Sequence, residues 1–173
     1  MDLQNLIRDI PNFPKPGIIF KDITTLLADG AGFSQSVDEL AKKFADCGAT
    51  KIIGAEARGF IFGAALAYKL GIGFVPVRKP DKLPYKTRSV TYELEYGTDT
   101  LCMHEDAVDQ GEKVLVVDDL LATGGTVGGM LQLLESAGAE IVGIGFLIEL
   151  DFLNGREKLG KYRVESLIHY AGE

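Results

Sequence analysis

Cysteine is scarce in this sequence: only Cys47 and Cys102 occur among 173 residues, and their spacing fits neither a C-x-x-C motif nor a set of zinc ligands. The pair therefore indicates no metal site and no disulfide framework. The N-terminus lacks a positively charged stretch followed by an apolar one, and no apolar run approaches the roughly eighteen residues of a membrane span. We expect a cytoplasmic protein that has no signal peptide and no membrane partner.

Positive charge is also in short supply, because 18 lysines and arginines face 25 acidic residues and leave a net charge of −7. An acidic chain of this kind argues against nucleic acid as a partner. Glycine is abundant instead, with 21 residues, about 12% of the chain against a typical value of roughly 7%. Since the glycines show no three-residue period, they indicate turns and close backbone approaches rather than collagen. The length favours a single domain over residues 1–173.

Short apolar runs alternate with helical patterns along the chain. The runs predict buried strands at Lys51–Ala55, Gly73–Val77, Val114–Val117 and Ile141–Ile148. The helical patterns predict a helix capped by Ser34 that carries Val37, Leu40, Ala41 and Phe44, and two more helices at Phe60–Leu70 and Thr126–Ala137. This alternation predicts an α/β fold, an open and mostly parallel twisted sheet with helices on both faces.

Two segments lie outside the alternation. Apolar residues between positions 3 and 10 have helical spacing, so a first helix is predicted to end before Pro11. The proline-rich stretch Phe13–Gly17 must be extended or turning. Residues Arg78–Thr98 are polar and dotted with prolines, and they show no buried period, so a loop is predicted there.

The segment Val114–Thr126, VLVVDDLLATGGT, carries the clearest chemistry. Asp118 and Asp119 end a buried strand, where open α/β sheets bind their ligands, and two carboxylates can accept hydrogen bonds from the vicinal hydroxyls of a ribose. An acidic helix cap with a tight turn is the plainer explanation, but it is less specific. The small residues that follow, Ala122, Thr123, Gly124, Gly125 and Thr126, lead into a helix whose N-terminal amides suit a phosphate. Neither a Walker loop nor G-x-G-x-x-G is present here.

This segment resembles the phosphoribosyl diphosphate (PRPP) signature of the type I phosphoribosyltransferases. Three further segments resemble adenine phosphoribosyltransferases in particular: Phe13–Thr24 their purine-binding signature, Glu56–Gly63 their pyrophosphate-contacting turn, and Arg78–Gly97 their mobile active-site loop. The resemblance runs in order through nearly the whole chain. It implies the type I fold, with a base-binding hood over about residues 1–30 and a mobile loop over about residues 78–98.

The resemblance also implies individual roles. Arg58, Arg78 and Lys82 would bind PRPP together with the two aspartates and the small-residue loop. Between Arg58 and Arg88 seven basic residues accompany one acidic residue, which independently suits a small polyanion. Of these, Arg58 is also a candidate catalytic residue against the charge of the leaving diphosphate. A strained or cis peptide after Glu56 is a further implication, and the Glu56 carboxylate either orients Arg58 or contacts substrate.

The remaining roles concern the base. Glu95, in the pattern L-E-Y-G, would exchange a proton with a ring nitrogen, whereas nearby Glu93 is expected to be solvated. The backbone of Ile19 and Lys21 would read the edge of adenine. Phe20 and Leu150 would cover the faces of the ring, although ordinary core packing explains these two side chains equally well.

The implied activity is a step of purine salvage, the transfer of the 5-phosphoribosyl group from PRPP to N9 of adenine, which gives AMP and diphosphate. No protein cage for a metal is visible, so magnesium should arrive with PRPP. A homodimer is expected by analogy. The alternatives are an enzyme of the same fold that uses hypoxanthine, xanthine, orotate or uracil, a PRPP-sensing regulator without activity, and a generic flavodoxin-like binding module.

Overall fold

The computed structural model describes residues 1–94 and 96–173. Among these residues, the helices are α1 (Thr24–Ala28), α2 (Gly30–Phe44), α3 (Arg58–Leu70) and α4 (Gly125–Ser136), with 3₁₀ turns at Leu3–Leu6, Asp151–Leu153 and Gly155–Leu159. The strands are β1 (Arg8–Pro11), β2 (Ile19–Asp22), β3 (Lys51–Ala55), β4 (Gly73–Val77), β5 (Thr87–Glu93), β6 (Thr98–His104), β7 (Lys113–Leu121), β8 (Glu140–Leu150) and β9 (Val164–Tyr170). No helix in this part of the chain is both long and apolar enough to cross a membrane.

A parallel five-stranded sheet in the order β4-β3-β7-β8-β9 forms the centre. Its middle strands are continuous apolar runs because both faces are covered. Helix α4 and the antiparallel pair β5–β6 pack on one face, and α1, α2 and α3 pack on the other. The predicted α/β architecture, a parallel sheet with helices on both faces, is confirmed.

Helix α2 approaches the sheet closely because β8 carries glycine where the helix lies. A Cβ atom at Gly143 would come within 2.7 Å of the Phe44 ring, and one at Gly145 within 2.8 Å. The ring fills the space that two side chains would otherwise take. Phe44 is itself almost completely buried, so this contact is part of the core.

Most of the predicted central elements lie where the sequence places them. β3 and β4 have the predicted bounds. α3 begins two residues earlier than predicted and ends at Leu70 as predicted, where Gly71 caps it with a left-handed φ of 68°. The predicted cap of α2 is wrong. Its N-cap is Asp29, whose carboxylate accepts a hydrogen bond from the Gly32 amide at 2.7 Å, and Ser34 lies inside the helix.

The predicted N-terminal helix is also wrong. Only one 3₁₀ turn, Leu3–Leu6, forms before the chain becomes β1, which pairs with β2 in antiparallel register. Phe13–Gly17 makes the turn between the two strands, as predicted, and the Phe13–Pro14 peptide is cis. Pairing with β2 provides the backbone hydrogen bonds of β1, so this stretch forms a strand and does not continue the helical turn.

The segment predicted as a loop, Arg78–Thr98, contains β5 and meets the start of β6. The prediction of no buried period is wrong there, because exposed and less exposed residues alternate along β5. Tyr92 is buried against α4, where a Cβ atom at Gly129 would lie 2.7 Å from its ring. Polar threonine, arginine and serine side chains on the same strand conceal this packing in the sequence.

Candidate active site

A cavity of about 550 Å³ opens at the carboxyl ends of β3 and β7. It is bordered by the turn after β3, the end of β7, the first turn of α4 and Leu94 at the end of the β5 segment. The structure brings eight of the predicted PRPP-binding residues together around it: Arg58, Asp118, Asp119, Ala122, Thr123, Gly124, Gly125 and Thr126.

The two aspartates at the end of β7 have different surroundings. Asp119 is 6% exposed, and its Oδ2 lies 2.8 Å from Nε of Arg58. Asp118 accepts a hydrogen bond from the Asp119 amide at 2.8 Å, and burial beside the Asp119 charge raises its pKa well above the usual value. Glycine at position 59 leaves room for it, since a Cβ atom there would come within 2.9 Å of Asp118 Oδ1. The site thus holds one paired carboxylate and one that resists ionisation.

The start of α4 can hold an anion. Gly124 is its N-cap with a left-handed φ of 87°, and no side chain among the described residues caps its first amides. Gly124, Gly125, Thr126 and Val127 all border the cavity. Unpaired backbone N–H groups and the positive end of the helix dipole therefore meet there, as a phosphate requires.

Glu56 pairs with Arg78, not with Arg58. Its Oε1 lies 3.1 Å from Arg78 Nε and accepts a hydrogen bond from the Lys79 amide at 2.9 Å. That amide and the Arg78 charge, with a smaller contribution from exposed Lys82, hold the pKa of Glu56 below its usual value despite its partial burial. Of the two alternatives for Glu56, the one in which it orients Arg58 is wrong, because Glu56 contacts Arg78 after β4 while Arg58 pairs with Asp119 on β7. Contact of Glu56 with substrate stays a prediction.

The peptide between Glu56 and Ala57 is cis, as the resemblance implied. Arg78 is held further by two backbone hydrogen bonds with Cys102, at 3.0 and 2.7 Å. Of the predicted PRPP-binding cations, Arg58 borders the cavity beside Asp119, whereas Arg78 reaches it only through Glu56, and Lys82 is not among the residues that border it.

The hairpin of β1 and β2 adds an aromatic surface to the site. The Phe20 ring centre lies 5.4 Å from Arg58 Cζ, and Phe13 packs edge-on against Phe20 at 5.2 Å between ring centres. Arg58 thus connects the predicted base-binding segment to the predicted ribose-binding acids. Ile19 is opposite Pro11, and Lys21 opposite Asp9, in the register of the hairpin.

Lys21 joins this hairpin to the sheet. Its side chain is buried, with Nζ 2.8 Å from Asp9 Oδ1 and 4.2 Å from the centre of the Tyr170 ring. Tyr170 on β9 is opposite Leu150 at the end of β8, and Leu150 packs at the edge of the same apolar core. The four predicted adenine-binding residues therefore lie near one corner of the sheet.

The predicted catalytic Glu95 lies outside the described residues. Its neighbour in sequence, Leu94, borders the cavity, and Glu93 is exposed at the end of β5, as expected for a solvated residue.

Two other groupings do not have this chemistry. A cavity of about 750 Å³ on the other side of Gly124 and Gly125 contains no pair of adjacent acids. Glu149, Asp151 and His169 each bring one metal-ligating atom within 4.8 Å of the others. However, the Glu149 carboxylate already accepts hydrogen bonds from Arg156 and Ser166, at 2.7 and 2.6 Å.

Sequence reasoning missed several residues that shape the site. Asp9 and Tyr170 hold Lys21, and Gly155 packs against the backbone of Ala122 beside the cavity. Each acts through a partner distant in sequence, so no local pattern marks it.

Comparison with known proteins gives a consistent set of matches. A sequence profile described as the phosphoribosyl transferase domain matches residues 22–169. The adenine phosphoribosyltransferase of Solidesulfovibrio magneticus is 68% identical over 171 residues, covering 99% of this chain and 100% of that protein. The crystal structure of the Thermoanaerobacter pseudethanolicus adenine phosphoribosyltransferase has a TM-score of 0.94 at 55% identity, covering 97% of this chain and 98% of that one.

A third similar protein has been crystallised with ligands. The adenine phosphoribosyltransferase of Saccharomyces cerevisiae, complexed with a dideoxy-imino-altritol 1,6-bisphosphate and adenine, has a TM-score of 0.89 at 40% identity. The match covers 95% of this chain and 96% of that one.

Proposed function

This chain belongs to the adenine phosphoribosyltransferase family, and we propose that it transfers the 5-phosphoribosyl group of PRPP to N9 of adenine, giving AMP and diphosphate. Within the structure, the position of Arg58 is the main support for this proposal. Arg58 lies between the Phe20 ring and the Asp119 carboxylate, so a base-binding surface and a ribose-phosphate site meet at one side chain.

The phosphoribosyl half of the reaction uses the end of β7 and the start of α4. Asp118 and Asp119 accept hydrogen bonds from the ribose hydroxyls, and the first amides of α4 bind the 5′-phosphate. Since Arg58 pairs with Asp119, hydroxyls that reach Asp119 compete with the guanidinium. Positive charge grows on the sugar ring as the bond to diphosphate breaks, and Asp119, with the acceptor oxygens of Asp118 beside it, provides negative potential there.

The leaving diphosphate is proposed to lie beside Arg58 at the border of the cavity. Arg58, Arg78 and Lys82 offset its charge, and the Glu56 carboxylate keeps Arg78 in place through the 3.1 Å contact. The proposed role of Arg58 is catalytic because its charge acts on the bond that breaks.

Adenine recognition rests on the β1–β2 hairpin. The Ile19 carbonyl accepts from the amino group, and the Lys21 amide donates to the adjacent ring nitrogen, while Phe20 and Leu150 cover the ring. Ile19 and Lys21 are two residues apart on β2, so the Ile19 carbonyl and the Lys21 N–H point to the same edge of the strand. Hypoxanthine presents an acceptor to that carbonyl, which leaves buried polar groups unpaired at roughly 1–3 kcal/mol each.

Glu95 is proposed to exchange a proton with the base, and the segment around it to close over the site as a mobile loop. A lid of this kind excludes water, which would otherwise hydrolyse the activated sugar.

Magnesium is proposed to arrive with PRPP. Among the described carboxylates at the cavity, Glu56 pairs with Arg78 and Asp119 with Arg58, and the raised pKa of Asp118 makes it a poor anionic ligand. Oxygens of the substrate, together with water, are therefore proposed as the main ligands of magnesium. When bound, the ion would add positive charge opposite the leaving diphosphate.

We also propose a cytoplasmic homodimer. Ile61 and Tyr68 lie two turns apart on the same exposed side of α3, and Tyr68 is 90% exposed. Large apolar side chains exposed together are typical of interaction surfaces. Sedimentation of the wild-type chain and of Tyr68→Asp tests this: a wild-type monomer at micromolar concentration would contradict it.

The test of the activity is product formation from PRPP and magnesium with adenine, hypoxanthine, guanine, xanthine, orotate and uracil. AMP and diphosphate from adenine alone are expected. Turnover of a different base would overturn the proposed recognition of adenine but keep the PRPP site. PRPP binding without turnover of any base would favour a regulator.

A further inference from the structure

The 3₁₀ turn Gly155–Leu159 packs directly beneath the loop that carries the small residues Ala122–Gly125, here called the phosphate loop. A Cβ atom at Gly155 would lie 2.3 Å from the Ala122 carbonyl oxygen and 3.0 Å from Leu121 Cδ1. In the opposite direction, a Cβ atom at Gly124 would lie 2.9 Å from the Gly155 carbonyl oxygen. The two segments therefore touch backbone to backbone, with a glycine on each side.

Space, not backbone conformation, requires glycine at position 155. Gly155 is buried, and its φ is outside the left-handed region, so any residue could adopt its conformation. However, the nearest atom is a backbone oxygen, which cannot rotate away as the end of a side chain can. An added methyl group must displace the phosphate loop by about 1 Å to reach ordinary van der Waals contact.

The turn is itself fixed from behind. Arg156 makes a two-pronged contact with Glu149, at 2.9 and 2.7 Å, and donates to the Val164 carbonyl at 2.9 Å. Glu149 is only 4% exposed and also accepts from Ser166 at 2.6 Å. Leu159 is buried in the core at the other end of the turn. Gly155 therefore has little freedom to move. A larger side chain at this position would displace the phosphate loop and not the turn.

The geometry points to Gly155 as a positioning residue that sets the height of the phosphate loop and so the binding of the PRPP 5′-phosphate. This inference rests on the proposed function, because the proposed function places the 5′-phosphate on that loop. It reaches beyond the residues that border the cavity, since Gly155 acts only through the backbone of Ala122.

The first experiment compares wild type with Gly155→Ala in steady-state kinetics and in calorimetric titration with magnesium and PRPP. A reactive group misplaced by about 1 Å can cost up to 100-fold, so we expect kcat/KM for PRPP to fall roughly 10- to 100-fold. KM for adenine should stay within about twofold, because the base lies on the hairpin and not on this loop. Gly30→Ala is the matched control, since a Cβ atom at Gly30 meets nothing within 4 Å.

The second variant, Arg156→Lys, keeps both the glycine contact and the positive charge but removes the planar two-pronged contact with Glu149. It should raise KM for PRPP in the same direction by a smaller factor, and it decides the matter if Gly155→Ala does not fold. A general loss of stability would lower Tm without separating PRPP from adenine.

The outcomes separate the two proposals. If wild type makes AMP and the folded variants keep the wild-type KM for PRPP, the positioning role is overturned and the proposed function stands. If wild type binds PRPP without turnover, the proposed function fails, and weaker PRPP binding by Gly155→Ala still supports the positioning role. If wild type does not bind PRPP, both are overturned.

Discussion

Asp22→Asn should cost stability at neutral pH and very little in acid. Asp22 ends β2 and accepts hydrogen bonds from the amide and hydroxyl of Thr24, at 2.9 and 2.8 Å, and from Arg8, at 3.0 and 2.6 Å. The Thr24 amide first, and then Arg8, lower its pKa from 3.8 to about 2. It therefore ties the first strand of the hairpin to the helix that follows the second.

The size of the effect follows from this pKa. The difference between 3.8 and about 2 is equivalent to about 2 kcal/mol of folding free energy at neutral pH. Arg8 is 57% exposed, so solvent screening reduces its part, and asparagine can still accept from the Thr24 amide. We expect a loss of about 1 kcal/mol, which is about 2–4 °C in Tm for a chain of this length.

The direction with pH is fixed by the lowered pKa. The Asp22 charge stabilises the folded state fully above its unfolded pKa of 3.8, and this contribution is lost as the pH falls through the folded value of about 2. The gap between wild type and variant should therefore close between about pH 4 and pH 2. Thermal unfolding by circular dichroism across this range measures it, with Asp46→Asn, whose side chain is 85% exposed, as the control. A gap that stays constant with pH, or no gap at pH 7, would show that the Asp22 charge does not stabilise the folded state.

Gly129→Ala should lower the free energy of unfolding by about 1–3 kcal/mol, because the added methyl group overlaps the Tyr92 ring. Gly128→Ala, whose methyl group meets open space, should not lower it, and urea unfolding of both variants checks this. Arg58→Lys keeps the charge but loses the planar guanidinium, so kcat/KM for PRPP should fall roughly 10-fold or more in steady-state assays, and an unchanged value would contradict the proposed role. Phe20→Leu should weaken adenine binding by about 1–3 kcal/mol, roughly 5- to 150-fold, with PRPP binding unchanged in calorimetric titration. Equal weakening for both ligands would argue against a role of Phe20 in base binding.

The parallel core could be predicted because its information is local. Lys51–Ala55 and Gly73–Val77 are apolar runs between glycine-marked helices, and burial on both faces makes such runs unambiguous. β9 has exposed and buried residues intermixed at the edge of the sheet, so neither an apolar run nor a clear alternation marks it in the sequence. β1 and β5 are likewise strands only because β2 and β6 pair with them. Such pairing gives only a weak hydrophobic pattern in the sequence of either strand.

The candidate site divides in the same way. Asp118, Asp119 and the phosphate loop are contiguous, so one segment of sequence displays the strand end, the acids and the helix start together. Arg58 and Asp119 are far apart in sequence, and they pair only because α3 packs next to β7. The pairing of Lys21 with Tyr170 similarly joins the two ends of the chain. Residue types can be predicted to serve a site, but their partners depend on the sheet order.

The sheet order also offers a reason why these residues would suit the proposed pair of substrates. All five central strands are parallel, so their carboxyl ends form a single edge in the order β4, β3, β7, β8, β9. Along that edge the cations after β4 and β3 come first, the acids of β7 next, and Leu150 and Tyr170 at the ends of β8 and β9 last. Diphosphate, ribose and base succeed one another in the same sequence across the proposed reaction. Neighbouring strands would thus hold the residues for neighbouring parts of the substrates at the spacing of the sheet. No hinge between the proposed substrate sites is then needed to bring them together.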